Sequence, residues 1–167
     1  MQLYNDVFSY LETRSAEINV DDPNVYITKL DPNERFLCQM THLHAQVFNG
    51  GIMQWEYNGY AERDLKSLRS MSEPIKILGI YDEVKPFFDF LKNVEIALMH
   101  YRDARDVSEP DMWDYEGNEE GLEDAWSDYE GSQDRAGDSL DALDTTFYSE
   151  ETVKCFNTVL KAFFEMT

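Results

Sequence analysis

The sequence predicts an all-α fold, a single compact domain over residues 1–167 built from six to eight helices with an acidic face. Three observations carry that expectation. Apolar residues recur at three- and four-residue intervals in stretch after stretch, which is the spacing of one face of an α-helix. Strand signals are confined to residues 25–30, which read as extended because Val25, Ile27 and Thr28 are β-branched. Finally, 43% of the 167 residues are hydrophobic, with ten Phe, ten Tyr and three Trp. That is enough apolar material for a core, where a net charge of −20 alone would suggest disorder.

The elements follow in order. Leu3, Val7, Tyr10 and Leu11 give a first amphipathic helix that ends before Asp21-Asp22-Pro23. Asp31-Pro32-Asn33-Glu34 is a helix start, with an N-cap, a proline in the first turn and a glutamate placed to close a capping box. The stripe Phe36, Met40, Leu43, Val47 follows. Asn49-Gly50-Gly51 stops it, because two glycines permit positive φ and a sharp turn. Gln54 and Trp55 then pack or hydrogen-bond across that turn, in a short piece that ends at Asn58-Gly59. Ala61, Leu65, Leu68 and Met71 make another helix, interrupted by Pro74. The strongest stripe is Phe87, Leu91, Val94, Leu98, Tyr101, with Pro86 expected in its first turn. A last helix begins near Ser149 and carries Val153, Phe156, Leu160 and Phe163. No internal repeat is visible.

Charge is concentrated rather than spread. Residues 106–151 hold seventeen acids and one base, Arg135, for a net −16. The rest of the chain is an ordinary mixed surface. Residues 106–137 read either as a folded acidic face or as an insertion or mobile loop within the domain. Leu122, Trp126 and Tyr129 form one helical stripe among the acids, while glycines 117, 121, 131 and 137 divide the block into short pieces. Trp113, Trp126 and Tyr129 are expected to anchor the block to the core.

Such a charge repels DNA, RNA and anionic membranes, so direct nucleic-acid or membrane binding is not expected and the attractive partners are cationic, a basic protein or metal ions. No run of apolar residues is long enough to span a bilayer, and the N-terminus lacks the pattern of a signal peptide, so a cytoplasmic protein is expected. Cys38 and Cys155 are expected to be reduced. No catalytic signature holds, and no cofactor is expected. His42 and His44 stand two residues apart, which on a helix turns them about 200° from each other and away from one metal ion. An EF-hand starting at Asp114 fails, with Glu119 where glycine is required and Ala125 at the twelfth position.

The string Asn49-Gly50-Gly51-Ile52-Met53-Gln54-Trp55, the turn at Asn58-Gly59, and the stretch from Leu140-Asp141-Ala142-Leu143-Asp144 to Phe147-Tyr148 are the most specific local patterns. On these residues the chain resembles a family of small acidic bacterial proteins with an N-G-G-x-x-Q-aromatic signature and a later L-D-x-L-D-x-x-F-Y stretch. The resemblance covers roughly residues 30–72 and 138–166. That family includes a dimeric DNA mimic that keeps a transcription factor from its DNA. The resemblance therefore implies an all-α homodimer from a bacterium or phage whose partner is a basic DNA-binding protein.

The charge density suits mimicry. If residues 106–151 were all helical they would span ~69 Å, with one net charge per ~4.3 Å, against ~3.4 Å along one strand of duplex DNA. The residues expected to touch a partner are Glu119, Glu120, Glu123, Asp124, Asp128, Glu130, Asp134 and Asp138. The alternative is an immunity or antitoxin-like protein that neutralises a basic toxin through a discrete hot spot.

Overall fold

The computed structural model describes residues 2–19 and 23–167. Among these residues the chain forms eight α-helices and one 3-10 turn. They are α1 (Gln2–Ile18), α2 (Pro23–Lys29), α3 (Pro32–Tyr57), α4 (Ala61–Ser70), α5 (Ser72–Ile77), α6 (Tyr81–Asp106), the 3-10 turn Met112–Tyr115, α7 (Glu119–Phe147) and α8 (Glu150–Phe164). The centre of the molecule is α3, α6, α7 and α8 packed on one another, with α1 laid across α3 and α8 and with α4 joining α3 to α6. Their facing sides bury Trp55, Phe87, Phe90, Phe163, Leu37 and Met40 completely. No helix among the described residues is long and apolar enough to cross a membrane.

Local chemistry explains most of the boundaries. At the start of α3 the Asp31 carboxylate accepts the backbone N–H groups of Asn33 (2.8 Å) and Glu34 (3.0 Å). The Asp31 N–H donates to the Glu34 carboxylate at 3.0 Å, so both halves of the expected capping box form. Glu34 is itself buried. Burial works against its charged form, but hydrogen bonds from Arg14 and the Tyr10 hydroxyl outweigh it and hold its carboxyl below the usual range. Ser149 caps α8 by accepting the Thr152 N–H at 3.2 Å.

Four expectations need correction. Residues 25–30 are not extended but lie in and just after α2. A seven-residue helix is marginal alone, and tertiary contacts support this one. The Tyr26 hydroxyl donates to the Leu11 carbonyl of α1 at 3.2 Å, and Leu30 is buried. β-Propensity reflects packing on a neighbouring strand, and no strand exists among the described residues to supply it. Pro86 is not in the first turn of its helix, because α6 starts at Tyr81 and carries Pro86 inside it. The glycines do not divide the acidic block. α7 runs unbroken through Gly121, Gly131 and Gly137, at a cost of about 1 kcal/mol each, while the C-terminal part of the same helix packs on α3 and α6. Gly117, with φ 81°, does mark a break ahead of it. Lastly, Trp113 is no anchor, since it stands 74% exposed. The expected end of the first helix falls partly on residues 20–22, outside the described residues.

Candidate functional site

All eight of the acids expected to meet a partner lie on α7, and all eight are exposed. At 100° per residue, Glu119, Glu120, Glu123, Asp124, Asp128, Glu130, Asp134 and Asp138 fan across about 180° of the helix surface. The opposite side carries Ala136, Leu140 and Phe147, all buried, with Leu122, Trp126, Tyr129 and Leu143 half-buried. One helix thus sorts its side chains into a core stripe and a charged face. Among the described residues, no ion pair involves any acid between 106 and 151. The eight carboxylates of the charged face are left to solvent or to a partner.

The two halves of α7 sit differently. α6 and α7 run antiparallel, since the Phe90 and Phe147 rings meet at 5.5 Å at one end and Gln133 Nε2 donates to the Ala104 carbonyl at the other. α6 stops at Asp106. Residues 119–131 therefore continue past it for ~18 Å. Against this projecting arm folds the 3-10 turn Met112–Tyr115, whose start is capped by the Asp111 carboxylate accepting the Trp113 N–H at 3.0 Å. Trp126 and Tyr129 pack edge to face at 5.7 Å on the arm. Its tip holds Met112 and Trp113, 64% and 74% exposed. Reading the sequence missed this apolar tip, because a tryptophan among acids gives no sign of which way it points.

The geometry also corrects the length of the charge track. α7 is 29 residues, or ~43 Å, rather than ~69 Å. Ten acids and Arg135 leave a net −9 along it, one charge per ~4.8 Å. That is sparser than one DNA strand, with the loop acids Asp111, Asp114 and Glu116 close by in the 3-10 turn and its flanks.

What holds the charged helix in register is the glycine turn in α3. Gly50 (φ −178°, ψ 22°) and Gly51 (φ 78°, ψ −177°) leave the helical conformation, so α3 is two helices across a kink. The second begins with Ile52, whose N–H donates to Asp144 Oδ1 of α7 at 2.7 Å. A Cβ on Gly51 would lie 2.1 Å from the Asp144 carboxylate, and one on Gly50 would lie 1.8 Å from Gln54 Oε1. Trp55, three residues on, is fully buried and donates its indole N–H to Asp64 at 3.2 Å. Of the packing expected across the turn, Gln54 lies against Gly50, whereas Trp55 turns into the core and bonds to α4 instead. The partner at Asp144 was not read, although both halves of the contact lie in the two most specific sequence patterns.

The histidines go separate ways. His42 Nδ1 faces Asp64 at 2.9 Å, and Asp64 also accepts from Arg63. His44 lies among Tyr4, Phe147 and Phe156, and burial lowers its pKa. Both cysteines are free thiols. Among the described residues, no group of three or more His, Cys, Asp or Glu side chains is placed to hold a metal ion.

A family model described as DMP19-like protein matches residues 28–165, so the match runs through the acidic helix as well as the two flanking patterns. No curated protein and no solved structure matches the chain.

Proposed function

This chain belongs to the DMP19-like family, and on that footing we propose that it acts as a DNA mimic, occupying the basic DNA-binding surface of another protein and blocking its access to DNA. The observation that carries the proposal is the exposed acidic face of α7, eight carboxylates that have no ion-pair partner among the described residues, on a helix fixed in register by Asp144. A groove built for phosphates presents Arg and Lys, which form strong charge-assisted hydrogen bonds with carboxylates. The partner is a transcription factor, a nucleoid protein or a defence nuclease. A homodimer related by a two-fold axis would offer a second acidic helix as a duplex offers a second strand. On this reading the chain is not an enzyme, needs no cofactor or metal, works in the cytoplasm of a bacterium or on behalf of a phage, and does not bind nucleic acid itself.

One feature favours a second reading. Met112 and Trp113 stand exposed at the tip of the acidic arm, and an exposed tryptophan rimmed by charge is the composition of a binding hot spot. An immunity-like protein neutralising a basic toxin would use such an anchor. Competition separates the two. Capture of partners from the native host at low salt, followed by challenge with duplex DNA, should release the partner of a mimic and leave the partner of an immunity protein bound.

A further inference from the structure

Away from the charged face, α1, α3, α8 and the end of α7 meet around a cavity of about 280 Å³. Six rings wall it: Tyr4, His44, Phe48, Phe147, Tyr148 and Phe156. The Phe48 ring lies parallel to His44, 6.2 Å away and tilted by 6°. Phe147 stands nearly upright to Tyr148 (83°, 5.3 Å) and to Phe156 (73°, 5.9 Å). Rings set close to right angles make a box rather than a stack. Phe147 and Phe156 are buried and belong to the core. Phe48 and Tyr148 are 71% and 47% exposed, so their rings are reachable from solvent. Core packing accounts for the first pair and leaves the second without a role.

The chemistry of the walls points to one class of occupant. Aromatic faces carry the negative side of a quadrupole and attract cations. No Lys or Arg side chain is among the residues that line the cavity. Burial lowers the His44 pKa, so its ring is neutral at pH 7 and adds no opposing charge. Burial, and then the charge of Asp144, raises the Tyr148 pKa, so a carboxylate lies near this ring. The net charge of −20 raises the local concentration of any cation. A metal ion or a bare ammonium gives up water on entry and needs acceptors in return, which rings do not replace. A trimethylammonium group has no N–H to satisfy and buries its methyls against the rings. The cavity falls just short of the ~300 Å³ at which pockets for drug-sized ligands begin, so the occupant is small.

We propose that this box binds a small organic cation by its trimethylammonium head group, held over the rings of Phe48 and Tyr148. None of the eight acids of the charged face lines the cavity, so the proposal stands or falls apart from DNA mimicry.

Choline and its neutral carbon isostere, dimethylbutanol, make the test, because a tert-butyl group replaces the trimethylammonium and little else changes. Each is titrated into the full chain while the His44 ring and Asn157 side-chain amide signals are followed by NMR. Sodium chloride at the same concentrations controls for simple attraction to the net charge. Choline should give saturable shifts at these two residues, and the isostere should bind about tenfold more weakly. Phe48→Leu and Tyr148→Leu keep apolar bulk and remove one ring each, at exposed positions where the melting temperature should stay within a few degrees of wild type. Each should weaken choline about threefold to tenfold and leave the isostere unchanged. The proposal is overturned if choline gives no saturable shifts beyond those of sodium, if the isostere binds equally well, or if both leucine variants bind choline as wild type does. A trimethyllysine peptide bound more tightly than choline would overturn the assignment to a free small molecule.

Discussion

Asp144 on α7 accepts the backbone N–H of Ile52, ninety-two residues earlier, at 2.7 Å. That N–H is one of the orphan donors at the start of the second half of α3, so a side chain from the acidic helix serves as its cap. The bond needs the kink at Gly50-Gly51, and at Gly51, with φ 78° and the Asp144 carboxylate where a Cβ would go, the kink needs a residue without a Cβ. Thus the glycines of one element and the aspartate of another fix how the charged helix is presented.

Replacing Asp144 separates the acceptor from the charge. Asp144→Ala should cost about 1–3 kcal/mol by leaving the Ile52 N–H unmet. Asp144→Asn keeps an acceptor. Burial, and secondarily the charge of Asp141, raise the Asp144 pKa despite the Ile52 hydrogen bond. A raised folded-state pKa means stabilisation that is present below the unfolded carboxylate pKa and lost as pH rises through the folded one. The melting temperature of wild type relative to Asp144→Asn should therefore fall as pH rises from about 4, the ordinary aspartate value, through the raised one. A difference that is flat with pH would contradict the burial of this carboxylate.

Two glycines with the same backbone sign should respond unequally to alanine. Gly51 (φ 78°) has the Asp144 carboxylate where a Cβ would go, whereas Gly59 (φ 75°) has nothing within 4 Å. Gly59→Ala should cost only the left-handed strain, about 1–2 kcal/mol. Gly51→Ala should cost clearly more, because α7 must shift as well. Chemical denaturation of both variants checks the order.

Trp113 and Trp126 should also part. Trp126 is half-buried against Tyr129, so Trp126→Ala should lower stability by about 1–2 kcal/mol and expose the arm to proteases. Trp113→Ala should leave the melting temperature unchanged, since its side chain is already in water. Protease resistance retained in Trp126→Ala would show that the arm does not rely on this packing.

Salt gives a further check. Ten acids on one helix with a single base repel one another, and added salt screens that repulsion. The melting temperature at pH 7 should rise from low to moderate ionic strength. A flat or falling curve would show that these charges are too well solvated to strain the fold.

Much of this was legible in the residues. The stripe Phe87, Leu91, Val94, Leu98 and the capping box Asp31–Glu34 are local patterns, and local patterns suffice for helices that bury one face. The charged face was legible for the same reason, because spacing alone puts Glu120, Asp124 and Asp128 away from Leu122 and Tyr129. What was not legible depends on contacts distant in sequence. Val25 and Ile27 look like strand residues until Tyr26 reaches Leu11. Gly137 looks like a break until packing of that part of α7 on α6 carries the helix through it. Asp144 is one acid among thirty-four until the fold sets it opposite Ile52.

The central claim is that many carboxylates on α7 act together as a stand-in for phosphates. Its most direct measurement is a titration of the partner complex with salt and with duplex DNA, for wild type and for a variant carrying Glu120→Gln, Asp124→Asn and Asp128→Asn. Mimicry predicts affinity that falls steeply with salt, displacement by DNA, and a loss of ~10–100-fold in the triple variant with only small losses from each single change. Binding indifferent to salt and DNA but abolished by Trp113→Ala alone would contradict it and point instead to a single anchor at the tip of the arm.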